Sequence, residues 1–356
     1  MNFFKLSLCF ALAAGTVAAQ SARVKPSPTP TPNPSLRPSV VFIPSAQTTR
    51  PKPSVTVTPT PSAKPTDDEV LKVESTLVPI PVSVIDPRGR PITDLKLEDF
   101  QLLIDGKPVQ ISEVIRSESP IRLAMLFDNS SSVLIARDFE KDAAVKFFKR
   151  VVRPDRDQAA LFSVADRTQL EQPLTRDTSL LVRAIENFAQ PEGATALLDG
   201  IITVSDYLRD VDGRRVVVIV SDGEDTISDL DTTLERVVKS LQTANCQVYV
   251  VKTKDFENFK RTGVRSGNAN IRVLDAERRM QEIAQQTGGW VYSPLDENEL
   301  NIAFTNITAE LADQYILSYY PESEIDRGGE FRNITVNVKR PNVNVRTRKG
   351  YYVPKR

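Results

Sequence analysis

The chain has 356 residues, 40% of them hydrophobic, which is enough for one full α/β core and a smaller unit. Lysine plus arginine and aspartate plus glutamate number 46 each, so no net charge favours nucleic acid or anionic lipid as a partner. The sequence contains no histidine. This excludes Ser-His-Asp and Cys-His catalysis, His-ligated zinc and histidine pH switches in their ordinary forms.

Residues 1–19 are predicted to be a secretory signal peptide. Lys5 precedes an apolar run from Leu6 to Ala14, and the small residues Val17-Ala18-Ala19 follow, with cleavage expected before Gln20. The run is shorter than the roughly 20 residues that span a bilayer, which disfavours a membrane anchor. The protein is therefore expected to be exported, to the periplasm, the cell surface or the medium, with no transmembrane segment after cleavage.

Two cysteines, Cys9 and Cys246, bear on processing and disulfide formation. A lipoprotein signal at Cys9 is the weaker alternative, because this cysteine precedes most of the apolar run. Signal cleavage leaves only Cys246, in an apolar stretch typical of a core strand, so no intrachain disulfide is predicted.

Residues 20–67 are predicted to be a disordered linker rich in Pro, Ser and Thr. Its repeats, such as Pro26-Ser27-Pro28-Thr29-Pro30, favour extended polyproline geometry and cannot build a packed core. Val40-Val41-Phe42-Ile43 is an apolar island within it, interpreted as a transient contact rather than as a docking motif.

Short alternating apolar runs mark residues 68–117 and 314–356 as β-rich. In the first segment they are separated by Asp86-Pro87-Arg88-Gly89 and by Asp105-Gly106, and Asp-Gly between apolar runs predicts a hairpin. Each segment alone has too few strands for an independent sandwich. We therefore expect the two segments to complete one small β-sandwich into which residues 118–313 are inserted.

Residues 118–313 alternate apolar runs with segments of helical period. This pattern predicts a doubly wound, mostly parallel α/β sheet covered by helices on both faces. The expected strands are Leu123–Phe127, Val216–Val220 and Val248–Val251. The expected helices are Asp138–Val152, Ser179–Phe188, Leu197–Leu208, Leu230–Leu241, Ala276–Gln286 and Glu297–Asp313.

Three oxygen-bearing fragments fall at loops expected to lie at one edge of that sheet. Asp128-Asn129-Ser130-Ser131-Ser132 follows the first strand, Ser221-Asp222-Gly223 follows the second, and Gly193-Ala194-Thr195 precedes a helix. Ligand sites in open parallel sheets lie at the carboxyl ends of strands. Carboxylate and hydroxyl oxygens are the ligands that hard cations prefer. Each fragment alone also fits an ordinary structural role, since Asp128 or Ser132 could cap a helix.

Taken together, in this order and spacing, the fragments resemble the metal-ion-dependent adhesion site of von Willebrand factor type A and integrin inserted domains. The resemblance spans residues 121–313. Many relatives have two glycines where this chain has Gly193-Ala194, and this departure affects the loop that places Thr195.

The resemblance implies one divalent cation, Mg²⁺ or else Mn²⁺ or Ca²⁺. It assigns direct ligation to Ser130 and Ser132, direct or water-mediated ligation to Thr195, and mainly water-mediated contact to Asp128 and Asp222. One coordination position would stay open for an acidic group of a partner, either a protein or a cell-surface polymer. The implied function is binding without catalysis.

The flanking segments resemble a narrower group, the exported VWFA-related proteins first described from acidobacteria. The resemblance rests on Asp99-Phe100, on Asp105-Gly106-Lys107 and on Arg348-Lys349-Gly350-Tyr351-Tyr352. The function of this group is not defined, so the resemblance predicts the fold of this chain but not its function.

Two other functions stay open at this point. In the first, the metal only stiffens an assembly module of the cell envelope. In the second, Asp128 or a nearby serine acts in a metal-assisted hydrolase, but the histidine base, a second Asp two residues after Asp128 and a phosphate-binding glycine loop are all absent from the sequence.

Residues around these motifs are given ordinary structural roles. Glu224 is interpreted as part of a solvated loop, Asp225 as a local turn or cap, and the basic stretch Lys252–Arg265 as a solvated loop over the sheet edge. The last helix runs almost without a linker into the strand at Tyr315, so it is either a fixed packing element or a part that moves with the metal site.

Overall fold

A computed structural model describes residues 77–134, 136–263, 271–321 and 328–353, except for the side chain of Ser132. The predicted signal peptide (1–19) and linker (20–67) lie outside the described residues. Among the described helices, none is both long and apolar enough to cross a membrane.

The described chain contains fourteen strands and seven α-helices. The strands are β1 (Val78–Ile85), β2 (Phe100–Ile104), β3 (Lys107–Val109), β4 (Glu113–Arg116), β5 (Ile121–Asp128), β6 (Gln158–Val164), β7 (Thr168–Thr175), β8 (Arg214–Ser221), β9 (Cys246–Lys252), β10 (Val291–Tyr292), β11 (Tyr315–Tyr319), β12 (Phe331–Val338), β13 (Asn344–Thr347) and β14 (Gly350–Tyr352). The helices are α1 (Arg137–Val151), α2 (Thr178–Glu186), α3 (Leu197–Leu208), α4 (Leu234–Thr243), α5 (Lys254–Thr262), α6 (Ile271–Thr287) and α7 (Glu297–Ala312). Short 3₁₀ turns cover Leu97–Asp99 and Ser131–Val133.

A six-stranded sheet in the order β10-β9-β8-β5-β6-β7 forms the centre of the α/β part. All neighbouring pairs are parallel except β6 and β7, which are antiparallel. Its inner strands β5, β8 and β9 are almost wholly buried, as the near-continuous apolar runs predict for strands covered on both faces.

Helices cover both faces of this sheet. Alternate residues of β5, such as Met125 and Phe127, pack with α1, α2 and α7 on one face, while Ala124 and Leu126 pack with α3, α4 and α6 on the other. The side-chain period of two along each strand therefore supplies both cores. The predicted mixed α/β class with a mostly parallel sheet is confirmed.

Two four-stranded sheets, β13-β1-β11-β4 and β14-β12-β2-β3, combine strands from both ends of the described chain. Their buried residues form one core, which includes Ile80, Leu102, Leu317 and Ile334. The hairpin turn at Asp105-Gly106 has positive φ at both residues, 49° and 76°, as the Asp-Gly pair predicts. Whether residues 68–117 and 314–356 act as one discontinuous domain apart from 118–313 stays a proposal about folding.

The helix predictions are confirmed in place, with differences at the ends. The predicted helix from Leu230 begins four residues later, because Thr233 caps α4 by accepting a hydrogen bond from the Arg236 amide. The prediction that Lys252–Arg265 is a solvated loop is wrong for Lys254–Thr262, which form α5. Burial of Phe256 gives this polar helix an apolar anchor on the fold.

Candidate functional site

Asp128 ends β5 with a fully buried side chain, 0% exposed. Its Oδ2 accepts a 2.6 Å hydrogen bond from the Ser221 hydroxyl, and its Oδ1 accepts one of 3.0 Å from the Ser130 amide. Burial, and next the nearby Asp222 carboxylate, raise the pKa of Asp128 to about 6, although the hydrogen bonds from Ser221 and Ser130 offset part of the rise. Asp128 is thus a buried acid held by hydrogen bonds from neutral groups.

Asp222 directly follows β8 and is 2% exposed. Its Oδ1 accepts a 2.9 Å hydrogen bond from the Glu224 amide, and its Oδ2 lies 3.3 Å from the ammonium of Lys254. That ammonium also lies 2.9 Å from Oε1 of Glu224. Glu224 lies in a loop, as predicted, but its carboxylate is only partly exposed and forms an ion pair with Lys254.

The loop that carries Thr195 is held by side chains from two neighbouring segments. Oδ1 of Asp166 accepts a 2.6 Å hydrogen bond from the Ala194 amide, and the Thr226 hydroxyl accepts one of 2.9 Å from the Thr195 amide. Gly193 has φ of +79°, and a Cβ built there would lie 2.4 Å from Oδ1 of Asp166. The loop therefore needs glycine at 193 but tolerates alanine at 194, which accounts for the departure from the two-glycine pattern.

The first loop contacts the threonine loop directly. The Ser131 hydroxyl donates a 2.8 Å hydrogen bond to the carbonyl of Gly193. Buried Arg137 supports the same loop from α1 by donating to the Asn129 side chain and to the carbonyl of Ala189. The chain thus brings the predicted fragments to one edge of the sheet.

Four of the five predicted ligands, Asp128, Ser130, Thr195 and Asp222, are buried at this edge. Ser132 lies in the 3₁₀ turn of the first loop, and its side chain is outside the described part. That these residues bind a metal stays a prediction. Asp225 acts as the predicted cap, since its Oδ1 accepts a 3.1 Å hydrogen bond from the Leu198 amide at the start of α3.

Sequence reasoning missed three charged residues beside this edge. Lys254 and Glu257 lie on α5, which was expected to be a loop, and Glu140 lies on α1. Glu140 and Glu257 are 1% and 7% exposed. The helical period of α1 placed Glu140 on its buried face, and this was the one signal in the sequence that could have identified it.

The residues at the edge fit the divalent cation that the resemblance implies. Within the described ranges, no three His, Cys, Asp or Glu side chains are grouped to hold a metal. The predicted ligand set instead has two carboxylates and three hydroxyls. Hard cations accept such oxygens, and the buried charges of Asp128 and Asp222 favour a positive ion between their loops.

Comparison with known proteins places the α/β part in a family. The sequence model of the von Willebrand factor type A domain matches residues 123–224. No curated protein sequence matches the chain significantly.

Solved structures with similar folds include three bacterial proteins. The PilB minor pilin from Streptococcus sanguinis has a TM-score of 0.42 at 14% identity, and the alignment covers 56% of this chain and 63% of the pilin. An aerotolerance-related membrane protein from Bacteroides fragilis has a TM-score of 0.41 at 18% identity, covering 54% of this chain and 98% of that one. The vWF domain of the pilus tip protein Mfa5 from Porphyromonas gingivalis has a TM-score of 0.42 at 11% identity, covering 54% and 95%.

This chain thus spans less than two thirds of the pilin, and the match to the narrower exported group stays a prediction. The sequence match and the mostly parallel sheet with helices on both faces show that the α/β part of this protein belongs to the von Willebrand factor type A domain family.

Proposed function

We propose that this protein is an exported, non-enzymatic adhesion module. In this proposal a divalent cation, Mg²⁺, Mn²⁺ or Ca²⁺, is held by Asp128, Ser130, Ser132, Thr195 and Asp222. When bound, the cation would supply a Lewis-acidic position for an acidic group of a protein or surface polymer. The main observation behind this proposal is that two buried carboxylates, Asp128 and Asp222, lie at the carboxyl ends of the adjacent strands β5 and β8.

In this proposal some residues supply oxygen ligands to the cation, and others position those ligands. The Ser221 hydroxyl and the Ser130 amide orient Asp128. Asp166 and Thr226 position the threonine loop by accepting hydrogen bonds from the amides of Ala194 and Thr195, respectively. Because neighbouring groups fix the Asp128 carboxylate and the backbone at Thr195, these two parts of the site would bind a cation without rearrangement.

Exposed apolar side chains on the same loops favour a partner that is both acidic and apolar. Leu134 is 57% exposed just after the first loop, and Ile227 and Leu230 are 47% and 97% exposed after Asp222. The Ile227 amide donates a 3.2 Å hydrogen bond to the Thr195 carbonyl, which places Ile227 beside the site. Apolar surface around a charged anchor is typical of protein recognition sites.

The test uses a short peptide with one glutamate between leucines as the probe. We expect the mature protein, residues 20–356, to bind it with Mg²⁺ and to lose binding in EDTA and in Asp128→Ala. Asp210→Ala, which changes an exposed acid, is the matched control. Peptide binding that survives both EDTA and Asp128→Ala would overturn the proposal.

The alternative of a structural assembly module is favoured by one observation. Gln314 is 0% exposed and donates hydrogen bonds of 3.0 Å to the Ser83 hydroxyl and 3.2 Å to Oε1 of Gln247, joining the small sheets to the α/β sheet. Metal uptake that depends on Asp128, stabilises the fold and admits no carboxylate probe would support this alternative. Hydrolysis of phosphate esters that Asp128→Asn abolishes would instead support the metal-assisted hydrolase.

A further inference from the structure

Helices α1 and α5 pack together beside the candidate site. The rings of Phe139 and Phe256 have centroids 5.6 Å apart, and the Lys260 ammonium lies 4.4 Å from the Phe139 centroid. Next to these aromatic residues in the sequence are two acids, Glu140 and Glu257. Apolar packing thus brings the two acidic side chains inside the protein.

Glu140, Glu257 and Thr253 are all buried, and each has at least one side-chain oxygen without a hydrogen-bond partner among the described residues. Their side chains are 1%, 7% and 1% exposed. Among the residues that the structure describes, both carboxylate oxygens of Glu140, Oε1 of Glu257 and the Thr253 hydroxyl have no hydrogen-bond partner. Burying an unpaired, ionised carboxylate raises the free energy of the folded protein by several kcal/mol. A positively charged ligand at these oxygens would offset that cost.

Electrostatic interactions tie these oxygens to one another. Burial raises the pKa of Glu140 well above its ordinary value, and Glu257, Asp128 and Asp222 raise it further. The Thr253 hydroxyl lies near enough to lower that pKa, although it forms no hydrogen bond of good geometry. Burial, and next the Asp222 carboxylate, raise the pKa of Glu257 to about 8.

The neighbouring cations are already engaged elsewhere. Lys254 is paired with Asp222 and Glu224, and Arg137 donates to Asn129 and the Ala189 carbonyl. Arg261 lowers the pKa of Glu257 but donates to Oδ1 of Asn258. The Glu140 oxygens thus receive charge from these residues only at a distance.

We propose that Glu140, Glu257 and the Thr253 hydroxyl form a second divalent-cation site, adjacent to the one at Asp128 and Asp222 and lined by oxygen alone. Mg²⁺, Mn²⁺ and Ca²⁺ are the ions that such ligands accept. The site is built by α1, α5 and the end of β9 rather than by the loops of the adhesion motif. This inference does not depend on the proposed function.

Two ions fit the acids better than one. The four buried carboxylates, Asp128, Asp222, Glu140 and Glu257, together carry about four negative charges when ionised, and one divalent ion neutralises about half of them. Within the described residues, no three of these acids are grouped for one metal. An ion at each pair would balance the charge of the four carboxylates, which a single divalent ion does not.

The test counts Mn²⁺ ions bound to the mature protein, by equilibrium dialysis and by loss of the free-ion electron paramagnetic resonance signal. We expect about two ions per wild-type chain and about one in either Glu140→Gln or Asp128→Ala. The double variant should bind none. Glu186→Gln, an exposed change on α2, is the matched control and should retain both ions.

The outcomes separate this inference from the proposed function. One ion in the wild type that Asp128→Ala removes and Glu140→Gln retains would overturn the second site, leaving the first intact and Glu140 protonated. One ion that Glu140→Gln removes and Asp128→Ala retains would support the second site and overturn the first.

Thermal melting keeps the test valid if a variant folds poorly. In EDTA we expect Glu140→Gln to melt at or above the wild-type temperature, because a glutamine avoids the free-energy cost of a carboxyl group buried without an ion. Added Mn²⁺ should then raise the melting temperature of the wild type more than that of Glu140→Gln. An equal rise in the two proteins would overturn the second site.

Discussion

The phenol of Tyr249, in the central strand β9, donates a 2.9 Å hydrogen bond to Oε1 of Glu310 on α7. The other carboxylate oxygen of Glu310 accepts a 2.7 Å bond from Arg346 of β13, whose guanidinium lies 4.1 Å from the centroid of Trp290. Glu310 is 2% exposed, so its charge depends on these partners. The sheet, the last helix and the small β-sheets are thus tied at one buried carboxylate.

Replacing Arg346 with Met is expected to destabilise the fold by about 3 kcal/mol, because it leaves the Glu310 charge buried without its cation. Arg340→Met is the matched control. It also removes an arginine from a carboxylate pair, with Asp94, but both partners are exposed and little change is expected. Urea unfolding measures both, and equal losses would contradict the role of burial.

The sheet and its helices could be predicted from the sequence because their signals are local. Val216–Val220 is an unbroken apolar run, and Leu197–Leu208 has the helical period that the structure shows. By contrast, α5 has few apolar residues, and within it Phe256 alone is a large, fully buried apolar side chain. Its helical state depends on tertiary packing against α1, and the spacing of apolar residues within α5 does not predict that packing.

The candidate site likewise contains residues that could be predicted from the sequence and residues that could not. Asp128 and Asp222 follow recognisable strands, so their shared edge could be predicted. Glu140 and Glu257 are far apart in the sequence, and the packing of Phe139 on α1 against Phe256 on α5 accompanies the burial of both acids. Lys254, whose ammonium reaches Asp222, could not be assigned before α5 was known.

Gly193→Ala is expected to destabilise the protein by about 2 kcal/mol and to weaken Mg²⁺ binding, because the new Cβ meets Asp166 and φ is positive. Gly106→Ala separates the two causes. Its φ is +76°, and no described atom would lie within 4 Å of its new Cβ, so it carries the backbone strain without the collision. Chemical unfolding and calorimetry with Mg²⁺ measure the difference. Unchanged Mg²⁺ affinity in Gly193→Ala would refute the role of this loop.

Lys254→Met is expected to tighten Mg²⁺ binding about tenfold, because the ammonium 3.3 Å from Asp222 competes with the ion for that carboxylate. Lys260→Met on the same helix is the matched control, since this lysine pairs with Glu297 instead. Isothermal calorimetry compares the two affinities. Weaker binding in Lys254→Met would show that the lysine supports the ion rather than competing with it.

Cys246 is expected to resist thiol reagents in the folded protein. It is 3% exposed, and burial raises its pKa to about 12. A raised thiol pKa disfavours the reactive thiolate, whereas unfolding exposes the thiol and restores its ordinary pKa. Reaction with a disulfide reagent should follow the unfolding transition in urea, with fully denatured protein as the reference. Rapid reaction of the native protein at pH 7 would contradict this.

The last prediction concerns whether α7 moves with the candidate metal site or only packs. Arg346 and Tyr249 hold α7 in the arrangement in which Lys254 pairs with Asp222. We call the hydrogen bonds of Glu310 with Tyr249 and Arg346 the α7 clamp. If ligand binding shifts α7, the free energy needed to break this clamp reduces ligand affinity.

Arg346→Met should then bind the glutamate-containing peptide with Mg²⁺ about tenfold more tightly than the wild type, because the clamp no longer opposes the shift. The measurement is a peptide titration at a temperature where both proteins are fully folded. Arg340→Met should leave the affinity unchanged, because its ion pair with Asp94 does not involve α7. Equal affinities in the wild type and Arg346→Met would assign α7 a fixed packing role, since a clamp that opposed no movement could be removed without changing binding.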